Sequence, residues 1–114
     1  MTFENAEFFV QTLVRWADAH VKSIFVLHRG HRERGLLLLR QDLRGGLSRF
    51  WVQETGAEGQ VQFRRRFAED QTPEAAQAYV DRERARDEDL WVLILEDSDG
   101  TLPPVFQAVP SSEN

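Results

Sequence analysis

The pattern of hydrophobic and polar positions predicts two helices separated by a long stretch of strands. Apolar residues recur three and four positions apart near the start, which predicts an amphipathic helix over residues 4–20. A second helix begins at the capping residue Thr72, with Pro73 at its first position and Glu74 in its first turn. This helix is expected to end near Arg86.

Five other segments predict β-strands. Residues 23–27 and 36–39 are short apolar runs joined by a polar turn with two glycines, which predicts a β-hairpin. Residues 47–55 and 61–67 alternate between apolar and polar positions, so we expect two strands with one wet face at an edge of the sheet. Residues 90–95 are apolar throughout, and a strand of this kind has to be covered on both faces.

The order of these elements predicts an α+β or layered α/β fold. We expect a mixed five-stranded sheet in the order α-β-β-β-β-α-β, with helices packed on the central strands. The last strand should insert beside the first and parallel to it, with Trp91 buried. Residues 1–101 are expected to form a single domain. Residues 102–114, with three prolines and no periodicity, predict a loosely ordered C-terminal tail.

Composition narrows the class of protein. The hydrophobic fraction of 41% supplies a core for a single domain of 114 residues. The absence of cysteine excludes disulfides, thiolate zinc sites and cysteine nucleophiles. The acidic start and the lack of a long apolar run predict neither a secretory signal nor a membrane span, so the expected location is the cytoplasm.

The net charge of −5 is distributed unevenly. Residues 28–66 carry nine arginines and four acids, for a balance of +5, whereas residues 67–114 carry three arginines and twelve acids, for a balance of −9. Such asymmetry fits a basic face for phosphate, and it equally fits two solvated halves that attract each other.

A cluster of arginines and aromatic residues in the second pair of strands is the strongest positive feature. The candidate binding residues are Arg49, Trp51, Arg64 and Arg66. Arginines interleaved with aromatic rings on an exposed sheet face suit single-stranded nucleic acid. A charged edge strand that prevents aggregation explains the same residues without a ligand. If the acids between positions 69 and 74 pack beside these strands, they would neutralise the arginines.

No catalytic or metal-binding signature is visible, so no catalytic residue, metal ligand or cofactor is assigned. No serine lies in a Gly-x-Ser-x-Gly elbow, and the paired glycines have the spacing of hairpin turns rather than of a phosphate loop. Nuclease chemistry would need an acid-x-lysine strand, but the sole lysine, Lys22, precedes the first strand. An enzyme would require residues that converge only in the fold, for instance His28 or His31 with Asp42.

One short motif resembles a known family. Arg82-Glu83-Arg84, the strand Asp87-x-Asp89-Leu90-Trp91-Val92 and the closing Glu96-Asp97 follow a hairpin that contains Arg29-Gly30 and Gly35. This combination resembles a family of short bacterial proteins of unknown function. The resemblance implies a small cytoplasmic bacterial α/β domain and no reaction.

The first functional hypothesis is therefore a non-enzymatic protein-interaction module, whose partner is another protein or a second copy of the chain. Exposed aromatic residues and bipolar charge on so small a domain favour it. Weak binding of single-stranded nucleic acid and a small enzyme with an unrecognised site stay open as alternatives. No membrane partner is expected, and the sequence identifies no substrate, ligand or oligomeric state.

Overall fold

Both predicted helices are present in the computed structural model. The described residues are 5–20, 22–59, 61–96 and 108–109. Helix α1 spans Ala6–Ala19, and the Asn5 side chain caps it by accepting a hydrogen bond from a backbone N–H at 2.8 Å. Helix α2 spans Pro73–Arg86, and its Thr72 hydroxyl accepts the equivalent bond at 3.2 Å, as the capping signals predict.

The predicted mixed sheet is also present, with its strands in the expected order along the chain. The strands are β1 (Ser23–His28), β2 (Leu37–Asp42), β3 (Ser48–Thr55), β4 (Val61–Arg65), β5 (Trp91–Glu96) and a two-residue β6 (Ala108–Val109). Across the sheet they lie in the order β1-β5-β2-β3-β4-β6. The antiparallel β3–β4 pair stands toward one end of the sheet, as predicted, and β1 forms the other edge.

The predicted first hairpin is wrong, because β5 separates β1 from β2. β5 runs antiparallel to β1, with Val26 opposite Leu93, and parallel to β2, with Leu39 opposite Leu93. It does insert beside the first strand, but the predicted parallel orientation applies to β2 instead. Strands on either side of a third lie about 10 Å apart, which the eight residues 29–36 can span without a tight turn.

The two helices cover opposite faces of the sheet, so the fold is layered as predicted. The α1 side contains the buried residues Ala6, Phe9, Val10, Leu13, Leu37, Leu39, Trp51, Phe63, Trp91, Leu93 and Leu95. The α2 side contains Leu38, Phe50, Ala76, Tyr79, Val80, Leu90 and Val92. β5 contributes to both clusters, which explains why its residues are apolar at successive positions. The expected burial of Trp91 is confirmed, with 0% of its surface exposed.

The C-terminal tail predicted over residues 102–114 lies mostly outside the described residues. Ala108 and Val109 are described, and they pair in parallel with Phe63 and Arg64 of β4. The single domain over residues 1–101 and the loose tail therefore stay predictions.

Within the described part of the chain, no helix has the length and apolar character needed to cross a membrane.

Candidate functional site

The loop over residues 29–36 is held against the start of β5. A Cβ atom added to Gly30 or Gly35 would lie 2.6 or 2.7 Å from Trp91 Cδ1, so only glycine allows the loop this close. Trp91 Nε1 also donates a hydrogen bond to the His31 carbonyl oxygen at 2.8 Å. The glycines and the tryptophan of the motif therefore determine the course of the chain between β1 and β2.

The same loop caps the start of α1. The carbonyl oxygens of Arg32 and Glu33 accept hydrogen bonds of 2.8 and 3.1 Å from the first two N–H groups of the helix. The Glu7 carboxylate accepts a hydrogen bond from Arg29 Nη2 at 2.7 Å, and the Arg29 guanidinium lies 5.1 Å from the centre of the Trp91 ring. These contacts explain the motif around Arg29 and Trp91 by structure alone.

Strand β1 is an edge strand with exposed apolar side chains. No described strand pairs with its outer side. Phe25 is 53% exposed, Val26 38% and Leu27 46%. Natural edge strands usually carry charges that prevent pairing with other chains, but residues 23–27 contain none. We call Ser23–His28, with these three exposed side chains, the β1 edge.

The faces of β1 differ in how well they are covered. Ile24 packs against the cluster under α1. Phe25 points to the opposite face, because side chains alternate along a strand, and it lies beside Ile94 of β5. The cluster under α2 includes Val92 but not Ile94, so among the described residues α2 does not extend over this corner of the sheet. The register shifts between Val26 and His28, which makes Leu27 the extra residue of a bulge.

The four predicted binding residues divide between the two faces of the sheet. Trp51 is 9% exposed, belongs to the cluster under α1 and donates a hydrogen bond from Nε1 to Gln41 Oε1 at 3.0 Å. Arg49, two residues away on the same strand, shares that face. Arg64 pairs with Val52, which packs on the α2 side, so Arg64 and Arg66 point away from Trp51. The sheet therefore separates the two halves of the predicted surface.

On the α1 face, Asp70 neutralises the arginines of this region. Its carboxylate accepts hydrogen bonds from Arg49 Nε at 2.8 Å, Arg49 Nη2 at 3.1 Å and Arg65 Nη2 at 2.9 Å. The hydrogen bond from Arg49 holds the pKa of Asp70 below its ordinary value, and the bond to Asp70 raises the pKa of Arg49. The acid therefore lies beside the strands as the sequence suggested.

On the α2 face, the other two arginines also contact neighbouring side chains. Arg64 Nε donates a hydrogen bond to Glu54 Oε2 at 2.9 Å. The Arg66 guanidinium lies 4.5 Å from the centre of the Phe67 ring and 5.7 Å from that of Tyr79. Burial raises the pKa of the Tyr79 hydroxyl. These arginines therefore join β4 to its neighbours.

The fold does not bring the histidines of the enzyme hypothesis to Asp42. His28 lies opposite Val92 at the start of β5, whereas Asp42 lies opposite Glu96 at its end. The His31 ring nitrogen Nδ1 accepts backbone hydrogen bonds at 3.2 and 3.3 Å within its own loop. Within the described ranges, no group of three or more His, Asp or Glu side chains could hold a metal ion.

Sequence reasoning missed the β1 edge as a candidate surface. A run of apolar residues such as Ile24 to Leu27 normally indicates a strand covered on both faces. The exposure follows from the position of β1 at the end of the sheet and from the limited reach of α2. The position of β1 and the reach of α2 both depend on contacts between segments that are distant in sequence.

Comparisons with known proteins agree with this fold. The profile of a family described as "Protein of unknown function (DUF1491)" matches residues 5–103. A crystal structure of a DUF1491 family protein from Caulobacter crescentus CB15 has 26% identity and a TM-score of 0.72, and the match covers 84% of this chain and 90% of that one.

Two solution structures are similar in fold. One, of a protein from A. tumefaciens, has 24% identity and a TM-score of 0.81, with 99% of this chain and 100% of that chain covered. The other, of a DUF1491 family protein from C. crescentus CB15, has 24% identity and a TM-score of 0.74, with coverages of 89% and 92%. A search of curated proteins finds no match.

Proposed function

We propose a function for this chain, which belongs to the DUF1491 family of proteins of unknown function. The chain is a non-enzymatic protein-interaction module, and its binding element is the β1 edge. The observation that supports this proposal is the exposure of Phe25, Val26 and Leu27 on a strand with no described partner on its outer side. An apolar edge without a charged residue is suited to pairing with an added strand.

The chemistry of such an edge defines what it can bind. Backbone N–H and C=O groups along the outer side of β1 can form a ladder with an extended segment of any sequence. The side chains of Phe25 and Leu27 would add apolar contact and select for apolar partners. The surface is small, so we expect a transient rather than a permanent complex.

Paired affinity capture tests this proposal. The wild-type chain, a Phe25→Asp/Leu27→Asp double variant and a matched Leu47→Asp control would be immobilised and exposed to the same lysate. Leu47 is 38% exposed and precedes β3, so its replacement adds a charge to an apolar surface position outside the β1 edge. We expect proteins retained by the wild type and the control to be lost from the double variant.

The comparison depends on all three proteins being folded. Circular dichroism and thermal unfolding should show similar melting temperatures, because the substitutions lie at exposed positions. If the double variant retains the same proteins as the wild type, the β1 edge is not the binding element.

Weak binding of single-stranded nucleic acid stays an alternative prediction. Its residues are Arg49, Trp51, Arg64 and Arg66. Fluorescence anisotropy with a labelled oligonucleotide at about 50 and 200 mM salt tests it, since phosphate-driven binding weakens steeply over this range. An Arg64→Ala/Arg66→Ala variant and an Arg49→Ala variant would separate the two faces of the sheet. Absence of binding at the lower salt concentration would remove the alternative.

A small enzyme with an unrecognised site and a location in the bacterial cytoplasm also stay proposals. The solved relatives from C. crescentus and A. tumefaciens support the bacterial assignment. Fractionation of cells that express the tagged protein would test its location. Elemental analysis of the purified protein, and melting with and without a chelator, would test for a metal-dependent activity.

A further inference from the structure

We propose that the partner of the β1 edge is a second copy of this chain, paired antiparallel through β1 across a two-fold axis. This inference rests on the proposed function, because it names the occupant of the same surface. The two sheets would then join into one continuous sheet, with Phe25 at the centre of the junction.

The opposite end of the sheet offers less open edge for a second contact, which favours an assembly of two copies. There the two-residue β6 pairs with β4 at Phe63 and Arg64, so a segment of the same chain covers part of that edge. The described strands at the two ends of the sheet are β1, with six residues, and β6, with two, so β1 is the longer open edge. A head-to-tail assembly would use both edges of every sheet. A two-fold dimer uses the same edge of both copies, so one open edge is sufficient.

Symmetry also determines which residues face each other. A two-fold axis perpendicular to the sheet keeps each helix layer on its own side, so residues opposite each other must point to the same face. Side chains alternate between the two faces along a strand. Opposite residues therefore share a face only if the axis passes between two copies of the same residue, which places that residue opposite its own copy. Phe25 is the middle residue of the charge-free segment 23–27 and is 53% exposed. Its ring would contact the ring of the other copy, an aromatic cross-strand pair.

The charges around the β1 edge permit this pairing. The segment 23–27 has none, so no like charges meet at the centre. The antiparallel arrangement brings Lys22 and Glu96 at one end of the edge toward the Arg29–Glu7 ion pair at the other end. Each end carries both signs, so the pairing juxtaposes no large patches of like charge.

The size of the contact predicts a weak dimer. A six-residue edge with three partly exposed apolar side chains buries on the order of several hundred Å² per copy, at or below the ~1,200 Å² total at which standard interfaces begin. The bulge at Leu27 also shortens the regular part of the edge. We therefore expect dissociation constants in the micromolar range or above, and a monomer in dilute solution.

Sedimentation velocity over a concentration series is the first test. The wild type and the Leu47→Asp control should shift from monomer to dimer as the concentration rises from about 10 µM to 1 mM, the range for a contact of this size. A Phe25→Asp variant should have a dissociation constant at least about tenfold higher, because it places two carboxylates face to face at the centre of the junction.

The absence of cysteine from the chain permits a second test, of register. Under oxidising conditions at high concentration, Phe25→Cys should form a disulfide-linked dimer with itself. Ser23→Cys alone and Leu27→Cys alone should crosslink poorly, since each would lie about 13 Å from its own copy along antiparallel strands. A mixture of Ser23→Cys and Leu27→Cys should crosslink, because these positions would be opposite each other.

The outcomes distinguish this inference from the function on which it rests. A wild type that stays monomeric at the highest concentration, or a dimer that Phe25→Asp leaves unchanged, overturns the self-pairing. Efficient self-crosslinking at all three positions would indicate parallel strands and also overturns it. If the wild type stays monomeric or Phe25→Asp leaves the dimer unchanged, capture of other proteins that depends on the β1 edge would keep the proposed function, and the absence of such capture would remove both.

Discussion

The two ends of the sheet differ in charge and in whether another strand pairs with them. At the β4 end, arginines on both faces form ion pairs or stack on aromatic rings, and β6 pairs with the outer side of β4. At the β1 end, residues 23–27 contain no charge, and Phe25 and Leu27 are about half exposed. One end is charged and covered, and the other is apolar and open.

This difference shows what the charged residues at the β4 end do within the fold. The carboxylate of Asp70 joins Arg49 to Arg65, and Glu54 accepts a hydrogen bond from Arg64. These charged groups hold β3, β4 and the segment before α2 together. The exposed apolar groups of β1 have no comparable role within the described part of the fold. Exposed apolar side chains without a role in the fold are therefore the basis of the proposed binding surface.

The largest predicted effect concerns the residue that supports the open end. Trp91→Ala should lower the free energy of unfolding by about 3–5 kcal/mol, because Trp91 is fully buried and the side chain also holds the 29–36 loop through His31. Chemical denaturation followed by circular dichroism measures this change.

A matched Trp91→Phe variant separates packing from the hydrogen bond. It retains an aromatic ring and loses the Nε1 donor, so we expect a smaller cost of about 1–2 kcal/mol. A Trp91→Ala protein that melts within a few degrees of the wild type would contradict the central position of β5.

The second prediction concerns the charged end. Asp70→Asn should lower the free energy of unfolding by about 1–3 kcal/mol, because it leaves Arg49 and Arg65, each about three-quarters buried, without their common acid. The comparison of wild type and variant by denaturant unfolding at pH 7 measures this cost. A change near zero would show that the arginines find other partners.

The pH dependence of this difference has a definite sign. The pKa of Asp70 in the folded chain is below its ordinary value of 3.8, mainly because Arg49 donates a hydrogen bond to the carboxylate. The extra stability of the wild type should therefore be complete above about pH 5 and be lost as the pH falls through the lowered pKa. Unfolding curves of both proteins between pH 2 and 7 would test this.

Much of the fold could be predicted from local patterns. The Thr72 cap with Pro73 located the start of α2, and the continuous apolar run around Trp91 indicated a strand covered on both faces. The pairing of β1 with β2 was predicted wrongly, because adjacent apolar runs joined by a glycine-containing turn indicate a hairpin. The insertion of β5 between them depends on contacts between segments that are distant in sequence.

The candidate surface was less predictable for a related reason. The alternation in β3 and β4 correctly placed Arg49 and Arg64 in strands. The expected single wet face is wrong, because the neighbours Phe50 and Trp51 are buried on opposite faces of β3. The alternation also could not register the two strands against each other. Once they are paired, Arg64 lies opposite Val52 and points away from Trp51. The exposure of Phe25 depends on where α2 ends over the sheet, which no local pattern records.

Removing β6 should uncover the outer edge of β4 at Phe63 and Arg64, so that both ends of the sheet are open. Truncation after Gln107 deletes the residues that pair with β4, and we expect a loss of only about 1 kcal/mol, since few hydrogen bonds are involved. The truncated chain would have an open edge at each end, so it should form assemblies larger than a dimer. Light scattering at matched concentrations measures this, and Phe25→Asp in the truncated chain should reduce the assemblies. Identical scattering of the full and truncated chains would contradict a protective role for β6.

The smallest predicted effect on stability is at the open end itself. Phe25→Thr replaces a half-exposed aromatic residue with one that also favours strands, so the free energy of unfolding should change by no more than about 0.5 kcal/mol. The same substitution removes the ring at the proposed centre of the junction and should weaken dimerisation. This separation of folding from association distinguishes the open end from the charged one, where Asp70→Asn affects the fold. If Phe25→Thr costs about 2 kcal/mol or more in denaturant unfolding, Phe25 contributes to the core and the β1 edge is not a free surface.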